Sequence, residues 1–151
     1  MIIRLSRRSS QNCLRAKAGF SLVLALAALV GACKSESPTS PSANVPFSFT
    51  DLRVGTGAEA ITGTAATVNY SLWLYDDGAA QNKGRAMEAG QFSFTVGTGV
   101  IPGFSRGVTG MRVGGQRRII VPPDLGYGSG AYQSIPGNST LVFEVELVSI
   151  P

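Results

Sequence analysis

Residues Val100 to Gly128 read VIPGFSRGVTGMRVGGQRRIIVPPDLGYG. Backbone breakers alternate with Ile, Val, Phe, Met and Tyr throughout. Pro102 suits the first turn of a helix, where its missing N–H costs little. Phe104, Val108 and Met111 follow at i, i+4 and i+7, which gives one apolar helical face. Gly107 and Gly110 weaken that helix, and Val113-Gly114-Gly115 ends it. QRRIIVPP, residues 116–123, then has a strand core terminated by prolines. Arg117 and Arg118, just before IIV, read as a solvated strand edge.

The flanks of this stretch are strands. ATVNYSLWLYDDG, residues 66–78, alternates Val68, Tyr70, Leu72 and Leu74 against Thr67, Asn69, Ser71 and Trp73, and stops at an Asp-Gly turn signal. FSFTDLRVG at 47–55 and QFSFTVG at 91–97 begin with the same period. STLVFEVELVSI at 139–150 alternates Leu141, Phe143, Val145 and Leu147 with Val142, Glu144, Glu146 and Val148. Period 2 with one polar face implies an antiparallel sheet packed on one side. The expected fold class is therefore α+β, with one short helix laid across one face of a curved sheet.

The amino-terminal third has a different character. Of the 13 Lys and Arg, five (Arg4, Arg7, Arg8, Arg15 and Lys17) precede an apolar run, Gly19 to Ala32. The other eight face nine Asp and Glu, so the remainder is near neutral and carries no nucleic-acid footprint. The basic start and short apolar run read as an export signal. The run ends VGAC, and a cysteine directly after small residues resembles a bacterial lipoprotein box, with Cys33 as the lipidated residue. Residues 34–46, KSESPTSPSANVP, read as a Ser/Pro-rich tether. The expected organisation is signal 1–32, lipidated Cys33 with tether 33–46, and a folded domain 47–151. Such a chain would sit in a bacterial cell envelope, anchored by lipid and facing the periplasm. Lys34, rather than aspartate, after the cysteine resembles sorting to the outer rather than the inner membrane.

Composition excludes several chemistries. There is no histidine, and the only cysteines are Cys13 and Cys33. The folded part therefore has no thiol, no Ser–His–Asp triad and no Cys/His zinc site. No metal or other cofactor is expected.

Taken in order, the central stretch, VNYSLWLYDDG before it and IPGNSTLVFEVELVSI after it resemble FKBP-type peptidyl-prolyl cis–trans isomerases over about 100 residues. The resemblance implies a strongly bent antiparallel sheet, a half-barrel, wrapped around one short helix, with an apolar pocket between them. It implies pocket roles for Tyr70, Phe92, Val100, Ile101, Phe104, Tyr127, Ile135 and Phe143. The Ile101 backbone N–H would be the donor to bound substrate, and Phe104 takes the floor position usually held by tryptophan. Met87-Glu88 in KGRAMEAG stands where the family has Phe-Asp, with a shorter bulge after it. In that role Glu88 would sit at the pocket edge and pair with an arginine, Arg85 or Arg106. Read alone, Glu88 is a solvated carboxylate, and Phe92, Phe94, Phe143 and Val145 are core residues; alternation requires that some of these four be only core. The implied partners are proline-containing polypeptides, meaning unfolded or exported clients, and macrolide inhibitors.

The implied reaction explains the missing histidine. Peptide-bond rotation meets a barrier of ~18–20 kcal/mol, and X–Pro bonds relax over tens to hundreds of seconds. No proton need be exchanged. A twisted amide loses resonance and much of its dipole, so an apolar pocket disfavours the planar ground state more than the twisted one. A second reading on the same fold is a catalytically weak chaperone or peptide-binding module. A third is a purely structural lipoprotein domain.

Overall fold

The computed structural model describes residues 45–151. The apolar run Gly19–Ala32, Cys33 and the tether up to residue 44 lie outside the described residues. Among the described residues, no helix is long and apolar enough to cross a membrane.

Five strands form one antiparallel sheet: β1 (Ser48–Arg53), β2 (Ala65–Tyr75), β3 (Lys83–Thr95), β4 (Gln116–Val121) and β5 (Leu141–Ser149). Their spatial order is β1-β4-β5-β2-β3, so β4 and β5, distant from β2 in sequence, are inserted between β1 and β2. One helix, α1 (Pro102–Val108), lies against β4 and β5. With the strands wrapped about it, this is the curved α+β architecture expected from the alternation.

The core sits between α1 and one face of the sheet. Val68 and Leu72 from β2, Ile119 and Val121 from β4, and Phe143, Val145 and Leu147 from β5 are buried there with Phe104 and Val108. The helix approaches β4 closely because it presents glycines to it. A Cβ on Gly103 would collide with Val121, and one on Gly107 with Ile119. Gly107 does weaken the helix, but its lack of a side chain is what lets Ile119 fit beneath.

Three expectations need correction. First, α1 is shorter than its apolar period suggests. Thr109 is extended at φ −56°, ψ 132°, and Gly110 is left-handed at φ +79°, so Met111 is buried just beyond the helix. Second, β3 begins at Lys83, well before the alternating QFSFTVG. Its early half pairs with β2 through two register shifts, one of which leaves Met87 as an extra residue between Ala86 and Glu88. Such bulges bend a strand and break its period. Third, Arg117 and Arg118 are not a solvated edge, because β4 lies inside the sheet. Arg117 points toward the helix, is 6% exposed, and donates to the Gly107 and Thr109 carbonyls at 2.8 and 3.2 Å and to Asp51 at 2.6 Å. It thus satisfies carbonyls at the carboxyl end of α1, where a cation is favoured.

Candidate functional site

The amino-terminal turn of α1 and the loop before it form one wall of a cavity. The Gly97 N–H donates to Ser105 Oγ at 2.8 Å, tying the loop to the helix. The Ile101 carbonyl accepts from the Phe104 and Ser105 N–H groups, at 3.1 and 3.2 Å. These bonds fix Ile101 at φ −58°, ψ 143°. Its own N–H has no acceptor among the described residues, which makes it a donor available at the cavity.

The floor is Phe104, 2% exposed. Its ring meets Tyr70 at 6.4 Å, Phe92 at 5.7 Å, Phe94 at 5.5 Å and Phe143 at 5.2 Å between centroids. Three of these contacts are edge-on, the geometry aromatic quadrupoles favour. Helix and sheet are therefore joined through one side chain that touches three strands.

The opposite wall comes from the loop after β4, which closes on itself. The Gly128 N–H reaches the Pro123 carbonyl at 2.8 Å, and the Asn138 N–H reaches the Gly128 carbonyl at 2.8 Å. Tyr132 and Ile135 exchange backbone bonds at 3.0 and 2.8 Å. This frame holds the Tyr127 and Tyr132 rings stacked at 4.4 Å, 5° from parallel. Arg85 on β3 donates to the Ser134 carbonyl at 3.3 Å, connecting the loop to the far edge of the sheet.

Together these elements enclose about 510 Å³, lined by Tyr70, Glu88, Phe92, Val100, Ile101, Phe104, Tyr127 and Phe143, with Leu72, Gly99 and Tyr132. The first eight are all residues the sequence singled out. Leu72 was findable, since it follows Tyr70 by two on the same strand face, and Gly99 adjoins Val100. Tyr132 carries no periodic signal; only the loop's closure brings it to the rim. Met87 and Ile135, also singled out, do not line the cavity. Met87 is the extra residue of the β3 bulge and packs against the core, and Ile135 is buried in the core at 6% exposure. Phe94 packs half-buried against the core and Val145 is buried in it, and neither lines the cavity; each shares its face with Phe92 or Phe143, so alternation alone does not separate them.

The polar groups of the site are few. Burial first, then hydrogen bonding to Glu88 and the nearby charges of Glu88 and Tyr127, push the Tyr70 hydroxyl up to about 12. Burial, then Tyr132 and Glu88, likewise raise Tyr127. Both hydroxyls stay protonated and neutral near pH 7. The expected arginine partner of Glu88 is absent among the described residues: Arg85 is held by Ser134, and Arg106 lies over the Phe47 ring at 5.0 Å. No group of His, Cys, Asp or Glu suited to a metal occurs among the described residues. The cavity can therefore hold an apolar group and present one backbone donor to a carbonyl. Its ionisable lining groups are Glu88 and three tyrosines, and no Ser, Cys or His beside them forms a nucleophile–base pair for bond-breaking.

Comparison with known proteins agrees with this geometry. The sequence pattern of FKBP-type peptidyl-prolyl cis-trans isomerases matches residues 57–148. The chain is 39% identical over 124 residues to the chloroplastic peptidyl-prolyl cis-trans isomerase FKBP16-4 of Arabidopsis thaliana, covering 77% of this chain and 54% of that protein. It is 40% identical over 103 residues to the FK506-binding protein of Neisseria meningitidis serogroup B, covering 66% of this chain and 92% of that protein. The chain thus spans about half the length of the plant relative and most of the bacterial one. Among solved structures, a peptidyl-prolyl cis-trans isomerase from Pseudomonas syringae superposes with TM-score 0.59 at 28% identity, over 69% of this chain and 74% of that one. With its sheet, helix and cavity in this arrangement, the chain belongs to the FKBP-type peptidyl-prolyl cis–trans isomerase family.

Proposed function

We propose that the protein catalyses cis–trans isomerisation of X–Pro bonds in polypeptides, using the cavity between α1 and the sheet. The observation that carries this reading is the convergence of Tyr70, Phe92, Phe104, Tyr127 and Phe143 around a space beside the unbonded Ile101 N–H. The prolyl ring would rest on Phe104, and a substrate carbonyl would accept from Ile101. A dry aromatic surround destabilises the polar planar amide relative to the twisted one, and a positioned donor limits reorganisation. Val100 and Gly99 shape the rim, while Tyr70 and Tyr127 contribute neutral hydroxyls. Each ~1.4 kcal/mol of selective stabilisation is tenfold in rate.

The test is the relaxation of a proline-containing peptide after a solvent jump, with and without the full chain. Acceleration that scales with protein concentration, and that a macrolide of the type named in the relatives suppresses, supports the reading. A folded protein that binds the peptide without accelerating it would make this a binding module instead. A folded protein that neither binds nor accelerates would leave a structural domain.

The place of action is the bacterial cell envelope, facing the periplasm, with Cys33 lipidated and the outer membrane as the anchor site. The clients are then exported polypeptides. This rests on the basic start, the apolar run Gly19–Ala32, the VGAC ending and Lys34. Mass spectrometry of the cell-purified protein tests it. A mature chain beginning at acylated Cys33 is expected, and an unprocessed amino terminus would overturn it.

A further inference from the structure

The cavity carries a single formal charge. Of the described side chains that line it, only Glu88 is ionic; the rest are apolar or tyrosine. The cations on adjoining elements are engaged elsewhere. Arg85 donates to Ser134, Arg106 lies over Phe47, and Lys83 pairs with Glu144 at 2.6 Å. No ion pair among the described residues includes Glu88. Its neighbour in the cavity is the Tyr70 hydroxyl, which offers no counter-charge.

Beside this carboxylate stands the Tyr127–Tyr132 stack, with Tyr132 47% exposed at the rim. Aromatic faces attract cations and cover the alkyl stems of lysine and arginine. A space of about 510 Å³ exceeds what one prolyl ring fills, so a neighbouring substrate side chain shares it.

We infer that the cavity selects prolyl bonds flanked by lysine or arginine, with Glu88 as the specificity-determining charge and the Tyr127–Tyr132 stack as the face that receives the side chain. The inference rests on the isomerase reading. A glutamate in the same substrate position would meet like charge, while leucine would be indifferent to Glu88. Because Glu88 is solvent-exposed, the preference is a screened one.

The experiment compares two peptide sets, with Lys, Leu or Glu placed directly before or directly after the proline. Values of kcat/KM are measured with the full chain at low and high ionic strength. In at least one set, Lys is expected to exceed Glu by about fivefold at low salt, as one screened charge pair near a surface allows. That ratio should fall toward one at high salt and in Glu88→Gln, whose fold is checked by circular dichroism. Tyr132→Ala should reduce the Lys advantage over Leu while leaving the Leu-to-Glu ratio in place. Lys-to-Glu ratios within about twofold in both sets, or a preference that persists in Glu88→Gln, would overturn the inference. If no peptide is accelerated, the isomerase reading has failed, and the same ratios are then read from binding of the peptides, with the same two outcomes.

Discussion

On β5, Phe143, Val145 and Leu147 face the helix, while Glu144 and Glu146 face the other way. The two sides of the sheet hold together by different means. On the inner side, rings meet rings, and one buried cation, Arg117, bonds the helix end. On the outer side, Lys83 and Arg118 converge on Glu144 at 2.6 and 2.8 Å, and Arg53 and Asn69 converge on Glu146 at 2.7 and 3.1 Å. Trp73 lies on that outer side with the Lys83 ammonium 4.5 Å from its ring centre. Apart from the Arg117–Asp51 pair, the inner face gains from burial and shape, which do not depend on pH, and so can house a cavity with few charges. The outer face gains from ion pairs, which keep the surface wet and the strands in register but are sensitive to acid and salt. A one-residue slip of β5 would exchange the two roles.

The sharpest way to break this contrast is Phe104→Ala. It removes the ring that joins helix to sheet and should cost about 3–5 kcal/mol, read as a lower denaturation midpoint, with peptide isomerisation lost at the same time. A loss under about 1 kcal/mol would mean that the aromatic cluster does not hold the two layers together. Arg117→Ala comes next. It strips donors from the Gly107 and Thr109 carbonyls and should cost about 2–3 kcal/mol. Because Arg117 does not line the cavity, the substrate KM should change less than stability does.

Smaller and pH-dependent effects belong to the outer face. Burial alone would raise the pKa of Glu144, but hydrogen bonds and charge from Lys83 and Arg118 outweigh it and hold the carboxyl below its ordinary value. A lowered folded pKa means that the stabilisation is present above the ordinary carboxylate range and is lost as pH falls through the folded value. Glu144→Gln should therefore cost about 1–2 kcal/mol at neutral pH. The gap from the parent should close below about pH 4, in thermal melts at matched pH. A gap that stayed constant down to pH 3 would contradict the network. Arg53→Ala is the mildest, since Arg53 and Glu146 are 54% and 40% exposed. It should cost under about 1 kcal/mol, and less in added salt.

Legibility in the sequence followed the same division. Wherever alternation ran uninterrupted, as in β2 and β5, both strand and face could be read directly. Phe92, Phe104 and Phe143 needed the family resemblance to be separated from ordinary core. The first half of β3 was opaque because its two register shifts erase period 2; pairing with β2, not local preference, makes KGRAMEAG a strand. Arg117 looked like surface because it is charged, yet it shares parity with Ile119 and Val121, and that parity was the usable signal. Gly107 looked like a weakness because propensity counts only the helix, not the side chain packed against it. Tyr132 reaches the cavity through loop closure, which no short-range pattern encodes.

Under the proposed function, a twisted amide is accommodated selectively and no proton is transferred. The pH profile of kcat/KM for peptide isomerisation tests it directly. Tyr70, pushed up to about 12, and Tyr127, raised by burial, remain protonated across the working range, and the chain contains no histidine. Acceleration is expected to be flat between about pH 6 and 9. A bell-shaped or sigmoidal dependence in that interval, from a protein that stays folded throughout, would contradict it.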